Sequence, residues 1–471
     1  MKKILIFLIT FFITFCCYIN VNASTSFYEA EYIDGIYMNK QQANSSTIYY
    51  QKARFFRETG TNRFAYCIDP FVFFNEGSSY DKTITPDNLS QAQKEKIELI
   101  AYFGYGYKNH TDYKWYAITQ MMIWQTADPS GKFYFTSGLN GPAIAPYNKE
   151  INEINLLIND YKSNTSLKDK TFTIIENTSF EAKDSYDLLK YYQTDNKQFK
   201  ISENTIKAEN LTAGNYTITL TRTENNYNKP ILFYQSKTSQ ALMQTGDIKT
   251  KEEKFHLNVI KTKIEITKLD SDTNSKTPSG DGVLIGAIYG LYDENDNEIA
   301  TITIDENNIG TIENIPFGKY YIKEIKAPTG YELDKKIYPV KINSTNYVHS
   351  LTLKDKIIKK EITIYKTYDE NTKKPEANIS FSIYDKNNNL VTTITTDENG
   401  KATVTLPYGE YKIVQDNTTP GYNKVNDFTI TVKDNINESI ILTDYKIKVP
   451  NTNSTLLTII INIIKNLLKL L

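Results

Sequence analysis

Short runs in which apolar and polar residues alternate dominate this chain. Tyr216–Thr221 alternates without a break, as do Tyr320-Tyr321-Ile322-Lys323 and Tyr411-Lys412-Ile413-Val414 in looser form. A period of two sends successive side chains to opposite faces of a sheet, so these runs predict half-buried strands. Glu29–Met38, Ile48–Tyr66, Thr171–Ile175 and Ile231–Met243 read the same way. Between about residues 89 and 161 the period changes to three or four. Leu89–Phe103 carries Ile97, Ile100 and Ala101 on one face and is stopped by Gly104-Tyr105-Gly106. Asp112 can cap a second helix through Trp124, broken at Pro129-Ser130-Gly131. A third helix is predicted from Asn148 to Tyr161, with Ile151, Ile154, Ile158 and Tyr161 at helical spacing. Residues 25–257 thus read as a β framework with a helical insertion.

Beyond residue 258 the chain repeats itself. Ile302-Thr303-Ile304-Asp305-Glu306-Asn307 returns as Ile394-Thr395-Thr396-Asp397-Glu398-Asn399. Pro316-Phe317-Gly318 returns as Pro407-Tyr408-Gly409, and Gly330-Tyr331 as Gly421-Tyr422. A period of about 90 residues, with alternating strands and Asn, Asp and Gly in the turns, predicts two tandem β-sandwiches over 258–357 and 358–447. The fold class is mainly β.

The two ends differ from everything between them. Lys2 and Lys3, an apolar stretch from Ile4 to Tyr18, and Val21-Asn22-Ala23 before Ser24 have the form of a secretory signal over residues 1–23. Phe15 before Cys16 excludes a lipoprotein site, which needs a small residue there. At the other end, Val449-Pro450-Asn451-Thr452-Asn453 precedes an apolar tail, Leu456–Leu471, bearing Lys465 and Lys469. That tail, 448–471, is short for a bilayer span of about 20 residues, and its polar residues fall on one helical face, so an amphipathic surface helix is the alternative. A formal net charge of −1 gives no electrostatic footprint for a nucleic-acid partner.

Removal of residues 1–23 takes Cys16 and Cys17 away and leaves Cys67 alone. An exported chain with one cysteine cannot make an internal disulfide, so the thiol is either a small buried hydrophobe or a reactive group. Its neighbours are Tyr66-Cys67-Ile68-Asp69-Pro70. A cysteine hydrolase using His110 or His256 as base is one reading, although no local signature of such an enzyme surrounds Cys67.

Tyr66-Cys67-Ile68 resembles the aromatic-Cys-apolar signature of the thioester domains of Gram-positive surface adhesins. Thr119-Gln120-Met121-Met122-Ile123-Trp124 resembles their helical TQxA(I/V)W motif, with Met122 where Ala is usual, and Ser239-Gln240-Ala241-Leu242-Met243 resembles their late Gln motif. The resemblance implies that a Cys67 thiolate displaces ammonia from a glutamine amide to form an internal thioester. Gln120 and Gln240 are the candidate acyl donors. The family pattern favours Gln240 and gives Gln120 a supporting role, with Gln235 and Gln244 outside the pattern.

Both repeats resemble Cna-B-like domains, in which a first-strand Lys forms an isopeptide bond to a last-strand Asn or Asp while a Glu moves the protons. In the first repeat the resemblance points to Lys268, Glu324 and Asp355. In the second, Lys366 and Asp444 stand at the reactive positions, but Gln415 aligns with Glu324. Gln cannot carry a proton, so a cross-link is expected in the first repeat and not in the second. A buried Lys–Asp salt bridge is the plainer alternative in either.

The C-terminal segment resembles an LPxTG-type sorting signal. Together the resemblances imply a secreted, wall-anchored, monomeric adhesin. Its thioester would capture a Lys amine on a host or surface protein once, without enzymatic turnover, cofactor or metal, and a sortase-like enzyme would attach it to the wall. The alternative is a surface or pilus-associated protein that binds without covalent chemistry. Tyr338-Pro339-Val340-Lys341 faintly resembles a pilin linkage motif, but reads better as a strand.

Overall fold

The alternating runs become antiparallel sheets, and one buried helix organises the largest of them. The structure, a computed structural model, describes residues 25–83, 88–224, 229–449 and 453–469. The signal-like residues 1–23 and most of the Val449–Asn453 motif lie outside that set. The chain divides after Asn258 into two compact units.

In the first unit an eight-stranded sheet runs in the order Asp81–Thr83, Leu232–Gln235, Leu242–Gln244, Phe64–Cys67, Ile48–Glu58, Phe27–Gln41, Lys132–Thr136 and Ala143–Ile144. Two expected strands are hairpins instead. Ile48–Tyr66 is broken after Glu58 by a turn in which Gly60 and Asn62 have φ of 84° and 59°. An alternating pattern cannot reveal a turn built from such left-handed residues. Ile231–Met243 turns back through residues 236–241, so its halves pair with each other.

The helix Tyr113–Ala127 packs on this sheet against Phe27–Gln41, Phe64–Cys67 and Lys132–Thr136. Ten consecutive residues, Trp115–Trp124, are buried, so this is a core helix rather than a surface one. Asp112 caps it, accepting from Lys114 N at 3.0 Å. The helices Gln91–Phe103, closed by a Ser90/Gln93 capping box, and Asn148–Lys162 pack beside it. The strands between Thr171 and Arg222, together with Glu252–Ile260, form two further sheets with an aromatic cluster of Phe172, Phe180, Phe199 and Phe255 between them. The sequence pattern did not separate this second β region from the first.

The second unit holds two two-sheet sandwiches. In each, the first strand lies between an antiparallel neighbour and the last strand, which runs parallel to it. The registers match: Lys268 pairs with Leu353 and Asp270 with Asp355, while Lys366 pairs with Leu442 and Tyr368 with Asp444. Parallel first and last strands place both chain ends of a module on neighbouring strands of one sheet. Tyr338–Lys341 lies inside the strand Ile337–Ile342. The tail forms the helix Asn453–Leu467, and no helix among the described residues is long and apolar enough to cross a membrane.

Candidate functional site

Cys67 ends the strand Phe64–Cys67, and Leu242 pairs with it from the strand Leu242–Gln244. The loop entering that second strand is pinned by backbone contacts. Gln240 N donates to Phe73 O at 3.2 Å, Ile68 N to Ala241 O at 3.0 Å, and Ala241 N to Asp69 Oδ2 at 3.1 Å. These bonds set the Gln240 amide on the sulfur: Cys67 Sγ lies 2.9 Å from Gln240 Oε1. Both residues are buried, and Gln240 Nε2 has no hydrogen-bond partner among the described residues.

Gln120 reaches the same cysteine differently. Its Oε1 accepts from Cys67 N at 2.8 Å and its Nε2 donates to Cys67 O at 2.8 Å. Both ends of this amide are spent on holding the Cys67 backbone, whereas the Gln240 nitrogen has no partner among the described residues. Gln235 ends the strand Leu232–Gln235, and Gln244 bonds Tyr234 and Glu58, so neither is presented to the thiol by these contacts.

Burial pushes the Cys67 thiol up to about 11, with Lys40 and Trp124 acting in the opposite direction. Lys40 is a neighbour that sequence reasoning missed. Its ammonium lies 5.1 Å from the centre of the Trp124 ring, and burial holds its pKa below the usual lysine value, against the pull of Cys67. A cavity of about 540 Å³ opens beside Gln240, with Lys40, Tyr49, Arg54, Phe73 and Trp124 in its walls.

Neither histidine serves the cysteine. His110 Nδ1 lies 2.7 Å from Phe103 O, its Nε2 3.3 Å from Glu153, and its ring stacks on Trp115. His256 Nδ1 pairs with Thr217. Among the described residues the hydrolase reading therefore finds neither of its two candidate histidines hydrogen-bonded to the thiol.

The first sandwich gathers its three expected residues in the core between the sheets. Lys268 donates to Asp355, and lies 3.1 Å from Glu324 Oε1. It also touches the Tyr289 hydroxyl, which the sequence did not bring forward. Glu324 Oε2 accepts from Asp334 N at 2.7 Å. Burial raises the Asp355 pKa, Lys268 opposes that shift, and Glu324 adds to it.

In the second sandwich Lys366 Nζ lies 2.5 Å from Asp444 Oδ1, both fully buried. Gln415 occupies the place of Glu324. Phe381 faces it as Tyr289 faces Glu324, and its Oε1 accepts from Val425 N as Glu324 accepts from Asp334 N. A carboxylate is nevertheless present, because Glu376 Oε2 lies 2.9 Å from Lys366 Nζ. The signal for it was an acid in a stretch that the repeat comparison, centred on Glu324, left unaligned.

Residues 64–163 match the thioester domain family, and residues 262–357 and 360–446 match the prealbumin-like fold domain family (SpaA). The chain carries a thioester domain followed by prealbumin-like sandwiches. One relative, the "Trypsin-resistant surface T6 protein" of Streptococcus pyogenes serotype M6, is 42% identical over 72 residues, 15% of this chain and 12% of that protein. Another, the "Collagen adhesin" of Staphylococcus aureus, is 32% identical over 139 residues, 28% of this chain and 12% of that protein. The chain thus spans 12% of the length of either relative. Among solved structures, the Bacillus anthracis TIE protein aligns over 90% of this chain and 84% of its own, at 21% identity and a TM-score of 0.36. The thioester domain of the Staphylococcus aureus TIE protein aligns over 50% of this chain and 99% of its own, at 20% identity and a TM-score of 0.39. Through its thioester domain and sandwiches the chain is related to surface proteins of Gram-positive bacteria. In the thioester domain Met122, which departs from the motif, is buried in the core helix, and its carbonyl accepts from Thr126.

Proposed function

We propose that the thioester domain forms an internal Cys67–Gln240 thioester and spends it once on an amine of a partner at the cell surface. The observation that carries this reading is the 2.9 Å contact between Cys67 Sγ and Gln240 Oε1, with Gln240 Nε2 left without a partner. An amide nitrogen buried without an acceptor costs roughly 1–3 kcal/mol, and its departure as ammonia removes that cost. Sulfur attacks the amide carbon, the C–N bond breaks, the thiol proton leaves with the nitrogen, and an S–acyl bond remains. Burial keeps water from the product. The cavity beside Gln240 gives an incoming lysine-type amine a route to the acyl carbon, and the partner would be a host or surface protein. The reaction consumes the site, so this is covalent binding without turnover.

The prealbumin-like sandwiches would carry this domain, with Lys268 and Asp355 of the first joined through a proton relay by Glu324. Lys268, Asp355 and Glu324 are all buried, and the desolvation that raises the Asp355 pKa favours the neutral carboxyl that such a condensation needs. Export and wall anchoring complete the proposal.

Intact mass tests the thioester. The protein from residue 25 to 447 should be lighter than its sequence by about 17 Da for the thioester, on top of any loss in the sandwiches. Methylamine should add its own mass of about 31 Da, leaving the protein about 14 Da heavier than its sequence at this site, and free one thiol. Cys67→Ala and Gln240→Ala should each abolish the 17 Da loss. A wild-type protein whose Cys67 alkylates freely at full mass would end this reading.

A further inference from the structure

The second sandwich differs from the first at three core positions that answer one another. Asn378 N donates to Thr396 O as Gly286 N donates to Ile304 O, and Phe381 pairs with Gln415 as Tyr289 pairs with Glu324. This register puts Glu376 where the first sandwich has Leu284, a buried leucine. So Glu324 has become Gln415, Tyr289 has become Phe381, and Leu284 has become Glu376. One acid has left the cluster from one sheet and another has entered from the segment beside the first strand. Leu284 packs with Tyr331 and Ile357 beside the main core, whereas a buried acid at the matching place is expensive unless it is paired.

The contacts supply that pairing. Glu376 is 1% exposed, its Oε1 accepts from Thr419 N at 2.9 Å, and its Oε2 lies 2.9 Å from Lys366 Nζ. Asp444 Oδ1 lies 2.5 Å from the same nitrogen. Both oxygens are at ion-pair distance but outside the angular range of a hydrogen bond, and neither has another partner among the described residues. The other Asp444 oxygen is held firmly: Oδ2 accepts from Gln415 Nε2 at 2.8 Å and from Thr418 Oγ1 at 2.5 Å.

We propose that the second sandwich closes its own amide between Lys366 and Asp444, with Glu376 as proton carrier and Gln415 and Thr418 as the donors that hold the acyl oxygen. The inference rests on the cross-linked reading of the first sandwich. The Lys366 ammonium first passes one proton to Asp444 Oδ1, and its nitrogen then attacks Asp444 Cγ while Gln415 and Thr418 stabilise the charge that develops on Oδ2. Glu376 takes a proton from the attacking nitrogen and passes it to Oδ1. The C–Oδ1 bond breaks, water leaves, and the C–N bond remains, with Glu376 returned to its starting state. Gln415 is then a working part of the site rather than the residue that disables it.

Peptide mapping of the whole protein tests this without isolating a module. After proteolysis, the wild type should yield the Lys366 and Asp444 peptides joined and about 18 Da lighter than their sum. Glu376→Leu, which restores the residue of the first sandwich, and Glu376→Gln should both leave these peptides separate while the Lys268–Asp355 peptides stay joined. Asp444→Asn should still link but lose about 17 Da, because ammonia now leaves. Free Lys366 and Asp444 peptides in the wild type, beside a joined Lys268–Asp355 pair, would overturn this inference alone. A joined pair in Glu376→Gln would remove Glu376 from the reaction. If both pairs are free in the wild type, the cross-linked reading of the first sandwich fails with it.

Discussion

The two sandwiches share a register and differ in where they place an acid beside the buried lysine. Each places a first-strand lysine beside a last-strand aspartate, at the same offset across a parallel strand pair. In the first, Glu324 comes from the strand Gly318–Lys326 of the opposite sheet, and Tyr289 flanks it. In the second, Glu376 comes from the segment after Lys374–Pro375, on the first strand's own side. The requirement is an acid within reach of the amine, and the core offers more than one place to put it. Alignment to a single motif position therefore underestimates what a repeat can do.

The sharpest way to break the comparison is to remove either amine. Lys268→Ala and Lys366→Ala should each forfeit a cross-link. For the 87-residue separation of Lys268 and Asp355 the chain-entropy model puts the loss at about 4–5 kcal/mol. Calorimetry should show the affected sandwich melting roughly 20–30 °C lower. If only Lys268→Ala has an effect of this size, the sandwiches are not equivalent.

Exchanging the neutral amide and the acid should sharpen it. Glu324→Gln should leave Lys268 and Asp355 unlinked, because the only carboxylates in contact with Lys268 among the described residues are Glu324 and Asp355. Gln415→Ala should slow the second link without abolishing it, and cost about 1–2 kcal/mol for the bond lost to Asp444. Trypsin resistance and peptide mass distinguish the two outcomes.

The thioester domain holds a third buried cluster, around Cys67, which pH separates from the sandwiches. With Gln240→Ala the thiol is free, and its raised pKa makes the folded state hold a proton that the unfolded chain releases. The sign follows: this stabilisation is fully present below the ordinary thiol value of 9.0 and is lost as pH rises through about 11. The loss should approach about 2–3 kcal/mol. Melting of Gln240→Ala against Gln240→Ala/Cys67→Ala across that window measures it, and parallel curves would refute the shift.

The smallest effect is expected from Tyr289→Phe, which gives the first sandwich the residue found at Phe381. The link should still form, more slowly, and stability should fall by no more than about 1 kcal/mol. Complete loss of the link would mean that the hydroxyl, and not Glu324 alone, moves the proton.

Much of this was legible in the sequence, because periodicity and short-range chemistry are local. Alternation announced the strands, Asp112 announced its helix, and the repeat announced two sandwiches with lysine and aspartate at matching ends. Tertiary structure decided three things that no local pattern encodes. It turned Ile231–Met243 into a hairpin, and so brought Gln240 from 173 positions away onto the Cys67 sulfur. It committed both ends of the Gln120 amide to the backbone N–H and C=O of Cys67, leaving the two glutamines with different contacts to that cysteine. And it carried Glu376 into the Lys366 pocket by placing it at a core position where the first sandwich is apolar. Each of these depends on which residues are dehydrated together. Packing between distant strands sets that, while the order of residues along any one strand does not.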